Sequence, residues 1–205
     1  MTKKKNTHLI TMQPVLLHVA AESDKVYTPP ELARDIVNFF SPGGFCLDPC
    51  MGSGTFLNLL PAGSDWCEIE RGRDFYAYTR HVDWIVSNPP YTHYSSWMRH
   101  SMTVSTNIVY LMPVYKVFAS GKFLEDLFKW GGIRHIRRYG TGTQWGFPFG
   151  HALSAVHYQA GYFGPTSWSR YEAQQRFPAD RDTLENVEVK SVVCNRLTRR
   201  PLDTR

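Results

Sequence analysis

The chain has few cysteines for its 205 residues, only Cys46, Cys50, Cys67 and Cys194, with no Cys-x-x-Cys pair and no partnering His at zinc spacing. This excludes a disulfide framework and a cysteine-built metal site, and it fits a reducing compartment. No stretch approaches the roughly 20 apolar residues of a membrane span, and the opening Lys3-Lys4-Lys5 leads into His8, Gln13 and His18, not an apolar signal region. A soluble, cytoplasmic protein is expected, with no membrane partner. Internal repeats and low-complexity tracts are also lacking, which excludes solenoids and linker-like chains. What is present is 42% hydrophobic residues, including twelve Phe, eleven Tyr and six Trp, enough to bury a core in one domain spanning 1–205. The net charge of +5 favours an anionic partner such as nucleic acid. The basic segments 1–25 and 191–205 are expected to be peripheral.

Thr28-Pro29-Pro30-Glu31 carries the signals of a helix start: a hydroxyl for the N-cap, proline at the first helical position and a glutamate three residues after the cap. Leu32, Ile36, Val37 and Phe40 follow at helical spacing until Ser41-Pro42-Gly43-Gly44 stops them. Phe45 to Asp48 then reads as a strand, a glycine turn follows, and Thr55 to Leu60 reads as a helix closed by Pro61. Further strands are expected at 66–69, 82–87, 107–112, 133–138 and 152–162, and helices at 95–102 and 123–130. Beyond Gly164 a peripheral helix or tail is expected. Strands alternating with helices specify an α/β, doubly wound, Rossmann-like parallel sheet.

In such a sheet, ligands bind beyond the carboxyl ends of the strands. The first strand ends in Asp48-Pro49-Cys50-Met51-Gly52-Ser53-Gly54-Thr55, where two glycines let the backbone turn tightly and approach a ligand. It is neither a Gly-x-Gly-x-x-Gly dinucleotide loop nor a phosphate loop ending in Gly-Lys-Ser/Thr. Glu68 ends the next strand, where a carboxylate suits ribose hydroxyls. Asn88-Pro89-Pro90-Tyr91 follows the apolar strand at 82–87. The asparagine offers a carbonyl acceptor, the prolines lack N–H groups, and the tyrosine offers a flat face for a planar base or amide.

With these residues in that order, the chain resembles the amino-methylating S-adenosylmethionine-dependent methyltransferases, above all the DNA adenine-N6 type of phages and bacteria that carries an Asn-Pro-Pro-Tyr motif. The resemblance implies that Thr28 and Pro29 open the cofactor pocket. It implies that Asp48, Cys50, Gly52, Gly54 and Thr55 form the methionine-binding loop, that Glu68 holds the ribose, and that Asp74 and Phe75 contact the cofactor adenine. Asn88, Pro89, Pro90 and Tyr91 match the catalytic motif letter for letter. S-adenosylmethionine is the implied cofactor, no metal is required, and DNA is the implied partner, with the target base flipped out of its stack. Only twelve residues separate Glu70 from Asp83, too few for the helix, strand and helix usual there, so an edge strand should be short or missing.

Arg134, Arg137 and Arg138, with Trp145 and Phe147 in the glycine-rich segment 139–150, make a candidate nucleic-acid surface of cations and rings, against which stands the reading that the aromatics pack a closing hairpin. Little chain remains for a base-reading domain, so a short or relaxed recognition sequence is expected. Cytosine N4, an RNA base or a release-factor glutamine presents the same donor geometry as adenine and stays open as the acceptor, as does a catalytically silent nucleic-acid-binding subunit. The oligomeric state is open too.

Overall fold

The computed structural model describes residues 26–172, so the segments 1–25 and 191–205 lie outside the described residues. Helix α1 (Pro30–Phe40) begins one residue later than its sequence signal implies: Pro29 is the N-cap and Pro30 the first helical residue, with no side-chain cap. The expected capping box is therefore absent. Thr28 is buried instead, and Glu31 accepts a 2.7 Å hydrogen bond from the Tyr171 hydroxyl. The helix ends at Ser41, whose left-handed backbone (φ 47) returns its N–H to the Val37 carbonyl.

The strands are β1 (Cys46–Asp48), β2 (Asp65–Trp66), β3 (Val82–Ser87), β4 (Ser105–Pro113), β5 (Gly131–Thr141), β6 (Ala152–Ala160) and β7 (Ser167–Arg170), and the remaining helices are α2 (Tyr94–Val104) and α3 (Gly121–Trp130). The spatial order is β2-β1-β3-β4-β6-β5-β7. Neighbours from β2 to β4 run parallel, β6 runs antiparallel to both β4 and β5, and β5 pairs in parallel with β7.

Both faces of the sheet are covered, which explains the near-continuous apolar runs of β3 and β4. On one side α1 buries Leu32, Ala33 and Ile36 with Val86, Val109 and Leu111; on the other α2 and α3 bury Trp97, Met98, Phe123 and Leu127 with Ile85, Ile108 and Tyr110. Each of the larger aliphatic and phenylalanine side chains among these contributes about 1.5–3 kcal/mol. The buried phenols are paired, Tyr94 donating to Tyr158 at 2.6 Å and the Trp97 indole donating to Tyr110 at 3.1 Å, so their burial leaves no orphan group.

Besides the capping box, further expectations are corrected, the first being the parallel sheet: it is mixed, because β5 and β6 are joined as a hairpin and β6 runs antiparallel to both its neighbours. Thr55 to Leu60 forms only a short 3-10 turn at Leu57–Leu59, because Pro61 stops it before an α-helix can propagate. The strand expected at 66–69 shrinks to the two residues of β2, since Ile69–Arg71 turns away as a 3-10 helix. Among the described residues after Gly164, Ser167–Arg170 forms strand β7, where a helix or tail is expected; residues 173–205 lie outside the described residues. The strand is held by the His135 ring, whose two nitrogens meet the hydroxyls of Ser167 (2.6 Å) and Ser169 (2.7 Å). Between Glu70 and Asp83 lie two 3-10 turns and no strand among the described residues, so β2 is the sheet edge there, short as expected. The sheet still has seven strands because β7 adds one at the opposite edge.

Candidate active site

A single cleft lies beyond the carboxyl ends of β1, β2 and β3, lined by residues from four separate sequence segments: Thr28; Cys50, Gly52 and Thr55; Glu68, Asp74 and Phe75; Asn88 and Pro90. Parallel pairing of β1 with β3 brings these segments together, because it ends both strands on the same edge. Pro29, Asp48, Gly54, Pro89 and Tyr91 are not part of the lining itself; each adjoins a residue that is, or stands one position from it.

The glycine loop is stitched by Glu68. One carboxylate oxygen accepts the Gly52 N–H at 2.7 Å and the other the Glu70 N–H at 3.3 Å. Gly52 (φ 52) and Gly54 (φ 86) occupy left-handed backbone, which a side chain would strain. Behind the loop Asp48 is fully buried. Its Oδ1 accepts from Ser87 at 2.7 Å, while Oδ2 has no hydrogen-bond partner among the described residues. Burial, only partly offset by the Ser87 hydrogen bond, pushes this carboxyl up to about 7. Asp74 caps the turn at Phe75–Ala77 by accepting the Tyr76 N–H at 2.9 Å, and Phe75 is buried against Trp97 at a ring separation of 4.7 Å.

Asn88 joins the two halves of the cleft. Its amide nitrogen donates to the Val26 carbonyl at 3.1 Å, and its Oδ1 accepts from the Tyr91 hydroxyl at 2.6 Å. Val26, Tyr27, Ser53, Phe56, Tyr76 and Trp97 also line the cleft. Ser53 belongs to the glycine loop; the other five carry no motif, and only the adjacency of Val26 and Tyr27 to Thr28, of Phe56 to Thr55 and of Tyr76 to Phe75, and the place of Trp97 on the inner face of the helix after Tyr91, point to them. No group of metal-ligating side chains occurs among the described residues. Burial pushes the Cys67 thiol up to about 12, so it is an inert core side chain.

The expected nucleic-acid residues are dispersed. Arg134 lies near the start of β5, at the end of the sheet opposite the cleft, and donates to Gln159 at 2.6 Å. Arg137 is spent in a two-pronged ion pair with Asp35, at 2.7 and 3.0 Å, with its guanidinium 4.2 Å from the Phe39 ring centre. Phe147 is buried, and the Trp145 indole donates to the Tyr139 carbonyl at 2.6 Å, so these two rings pack the closing hairpin. Arg138 is exposed. Phe149, the third aromatic that the sequence places in this glycine-rich segment with Trp145 and Phe147, stands 5.8 Å from the Tyr91 ring.

No family model matches the chain, and no curated protein matches it by sequence. Solved structures do match by shape. A protein from Listeria monocytogenes assigned to the class I S-adenosylmethionine-dependent methyltransferases gives a TM-score of 0.56 at 12% identity, over 75% of this chain and 68% of that one. The fold is that of the Rossmann-like methyltransferases. A modification subunit assigned to a type I restriction enzyme from Vibrio vulnificus gives 0.53 at 16% identity, over 77% of this chain and 49% of its own. A type I restriction-modification methyltransferase subunit from Streptococcus thermophilus gives 0.52 at 15% identity, over 69% and 47%. This chain spans about half the length of those two subunits. No helix among the described residues is long and apolar enough to cross a membrane.

Proposed function

We propose that the chain transfers a methyl group from S-adenosylmethionine to the N6 amino group of adenine in DNA. The observation that carries this reading is that Asn88 and Pro90 open into the same cleft as the glycine loop and Glu68. The cleft fits the cofactor. Asp48 keeps a buried oxygen without a partner behind the loop, Glu68 and Asp74 are the carboxylates placed for hydroxyl and amino donors, and Phe75 with Phe56 supplies apolar wall for a purine. Bound there, S-adenosylmethionine supplies an electrophilic methyl group.

The protein's task is then to prepare the acceptor. The lone pair of an exocyclic amino nitrogen is delocalised into its ring. Hydrogen bonds from that amino group to Asn88 Oδ1 and the Pro89 carbonyl localise the pair and aim it, a positioning and electrostatic effect that needs no covalent intermediate. Tyr91 offers a ring on which the extruded base stacks, offsetting part of the few kcal/mol of unstacking. The expected recognition sequence is short or degenerate. Incubation with labelled S-adenosylmethionine and separate DNA, RNA and release-factor acceptors tests the reading: label in DNA, recovered as N6-methyladenine, supports it, and label confined to RNA or protein overturns it.

A further inference from the structure

Four rings form a path along the carboxyl edge of the sheet, starting at the cleft. Tyr91 meets Phe149 at 5.8 Å, Phe149 lies near parallel to His151 at 6.5 Å, and His151 meets Tyr115 at 4.6 Å. Lys116 ends the path, its Nζ 5.7 Å from the Tyr115 ring centre. The topology causes this alignment. Tyr115 follows the last residue of β4, Pro113, and His151 precedes the first residues of β6; Pro113 and Leu153 are register partners. Tyr115 is 46% exposed and His151 is exposed, so neither ring is there to fill the core.

We propose that Tyr115 and His151 form a stacking track for the unpaired DNA nucleotides adjoining the acceptor base, with Lys116 holding a phosphate at its far end. The inference rests on reading the cleft as the DNA methyl-transfer site. The occupant follows from where the path begins. Phe149 adjoins the Tyr91 ring, so one flank of an acceptor base held by Asn88 and Tyr91 has this line of rings beside it, and on a nucleic acid strand the flanking groups are further bases and phosphates. Aromatic faces accept any base, whereas a duplex would keep its bases stacked on one another and leave these rings unused. The track therefore favours DNA that is already unpaired around the target.

The test uses the full chain, a fluorescently labelled single-stranded oligonucleotide and its matched duplex, read by anisotropy. The single strand is expected to bind more tightly than the duplex. Tyr115→Ala combined with His151→Ala should weaken single-strand binding about tenfold or more. Its salt dependence should stay unchanged, while Lys116→Ala should lower the logarithmic salt slope by about 0.7. Unchanged cofactor affinity by calorimetry shows that each variant is folded. Equal binding of strand and duplex, an unaffected double variant, or tighter binding of single-stranded RNA of the same sequence overturns the track. Methyl transfer to DNA that both variants leave untouched removes the track and spares the catalytic reading. Ring-dependent strand binding without any methyl transfer does the reverse.

Discussion

The Tyr91 hydroxyl donates a 2.6 Å hydrogen bond to Oδ1 of Asn88, the oxygen proposed to receive the acceptor amino group. That oxygen has a second lone pair, so under the proposed function an acceptor amino group would share Oδ1 with the Tyr91 hydroxyl, a competing donor. Tyr91→Phe keeps the ring and removes the competing donor. Acceptor affinity in this variant should rise, by up to about tenfold for one hydrogen bond, with little change in kcat. Tyr91→Ala removes the stacking face and should lower affinity at least about fivefold. Single-turnover kinetics across acceptor concentrations separate the two; equal losses in both variants would mean that the hydroxyl itself acts on the substrate.

Asp48 is expected to trade stability against binding under the proposed function. Its carboxyl is pushed up to about 7 from 3.8 by burial, so between these values the folded protein binds the proton and the unfolded chain does not. The group's contribution to stability therefore falls as pH rises from about 4 to 7 and is constant above. Asp48→Asn cannot ionise and should gain stability relative to the parent over that range, most above pH 7. Denaturant unfolding of both proteins from pH 5 to 8 measures it. The same variant should bind S-adenosylmethionine more weakly by calorimetry, because the partnerless Oδ2 is replaced. A stability difference that does not change with pH would show that Asp48 is already charged in the fold.

Much of this site was legible because its residues follow strands directly. Asn88-Pro89-Pro90-Tyr91, the glycine loop and Glu68 are fixed by local chain chemistry, and parallel pairing alone brings them to one edge. The surface was less legible. Arg134 and Arg138 are close in sequence, yet Arg134 sits toward the amino end of β5 and far from the cleft, because β5 is an eleven-residue strand and not a loop. Phe147 and Phe149 look alike in sequence; the buried side of the hairpin takes the first and leaves the second beside Tyr91. Strand β7 carried no apolar alternation, since its place depends on the His135 hydrogen bonds to two serines.

Arg137 is expected to be a structural cation. Its side chain is 12% exposed and that of its partner Asp35 22%, with the Tyr139 hydroxyl also donating to Asp35 at 2.6 Å. Arg137→Ala leaves that carboxylate without its cation and should cost about 2–3 kcal/mol, somewhat below the cost at a fully dry site. DNA affinity under native conditions and its salt slope should be unaffected. Arg138→Ala, at an exposed position, should cost little stability. Denaturant midpoints together with anisotropy titrations check the pair; a lower salt slope in Arg137→Ala would return that residue to the nucleic-acid surface.

Paired measurements on Asn88→Ala bear most directly on the central claim: S-adenosylmethionine affinity by calorimetry, and methyl transfer to DNA followed by identification of the modified base. Under the proposed function Asn88 acts on the acceptor amine rather than on the cofactor, so affinity should stay within about threefold of the parent. Transfer should fall about 100- to 1,000-fold, the loss typical of removing one electrostatic partner of the transition state, with the parent's product being N6-methyladenine. A variant that turns over within a few-fold of the parent, or a parent that leaves DNA adenine unmodified, would contradict the assignment.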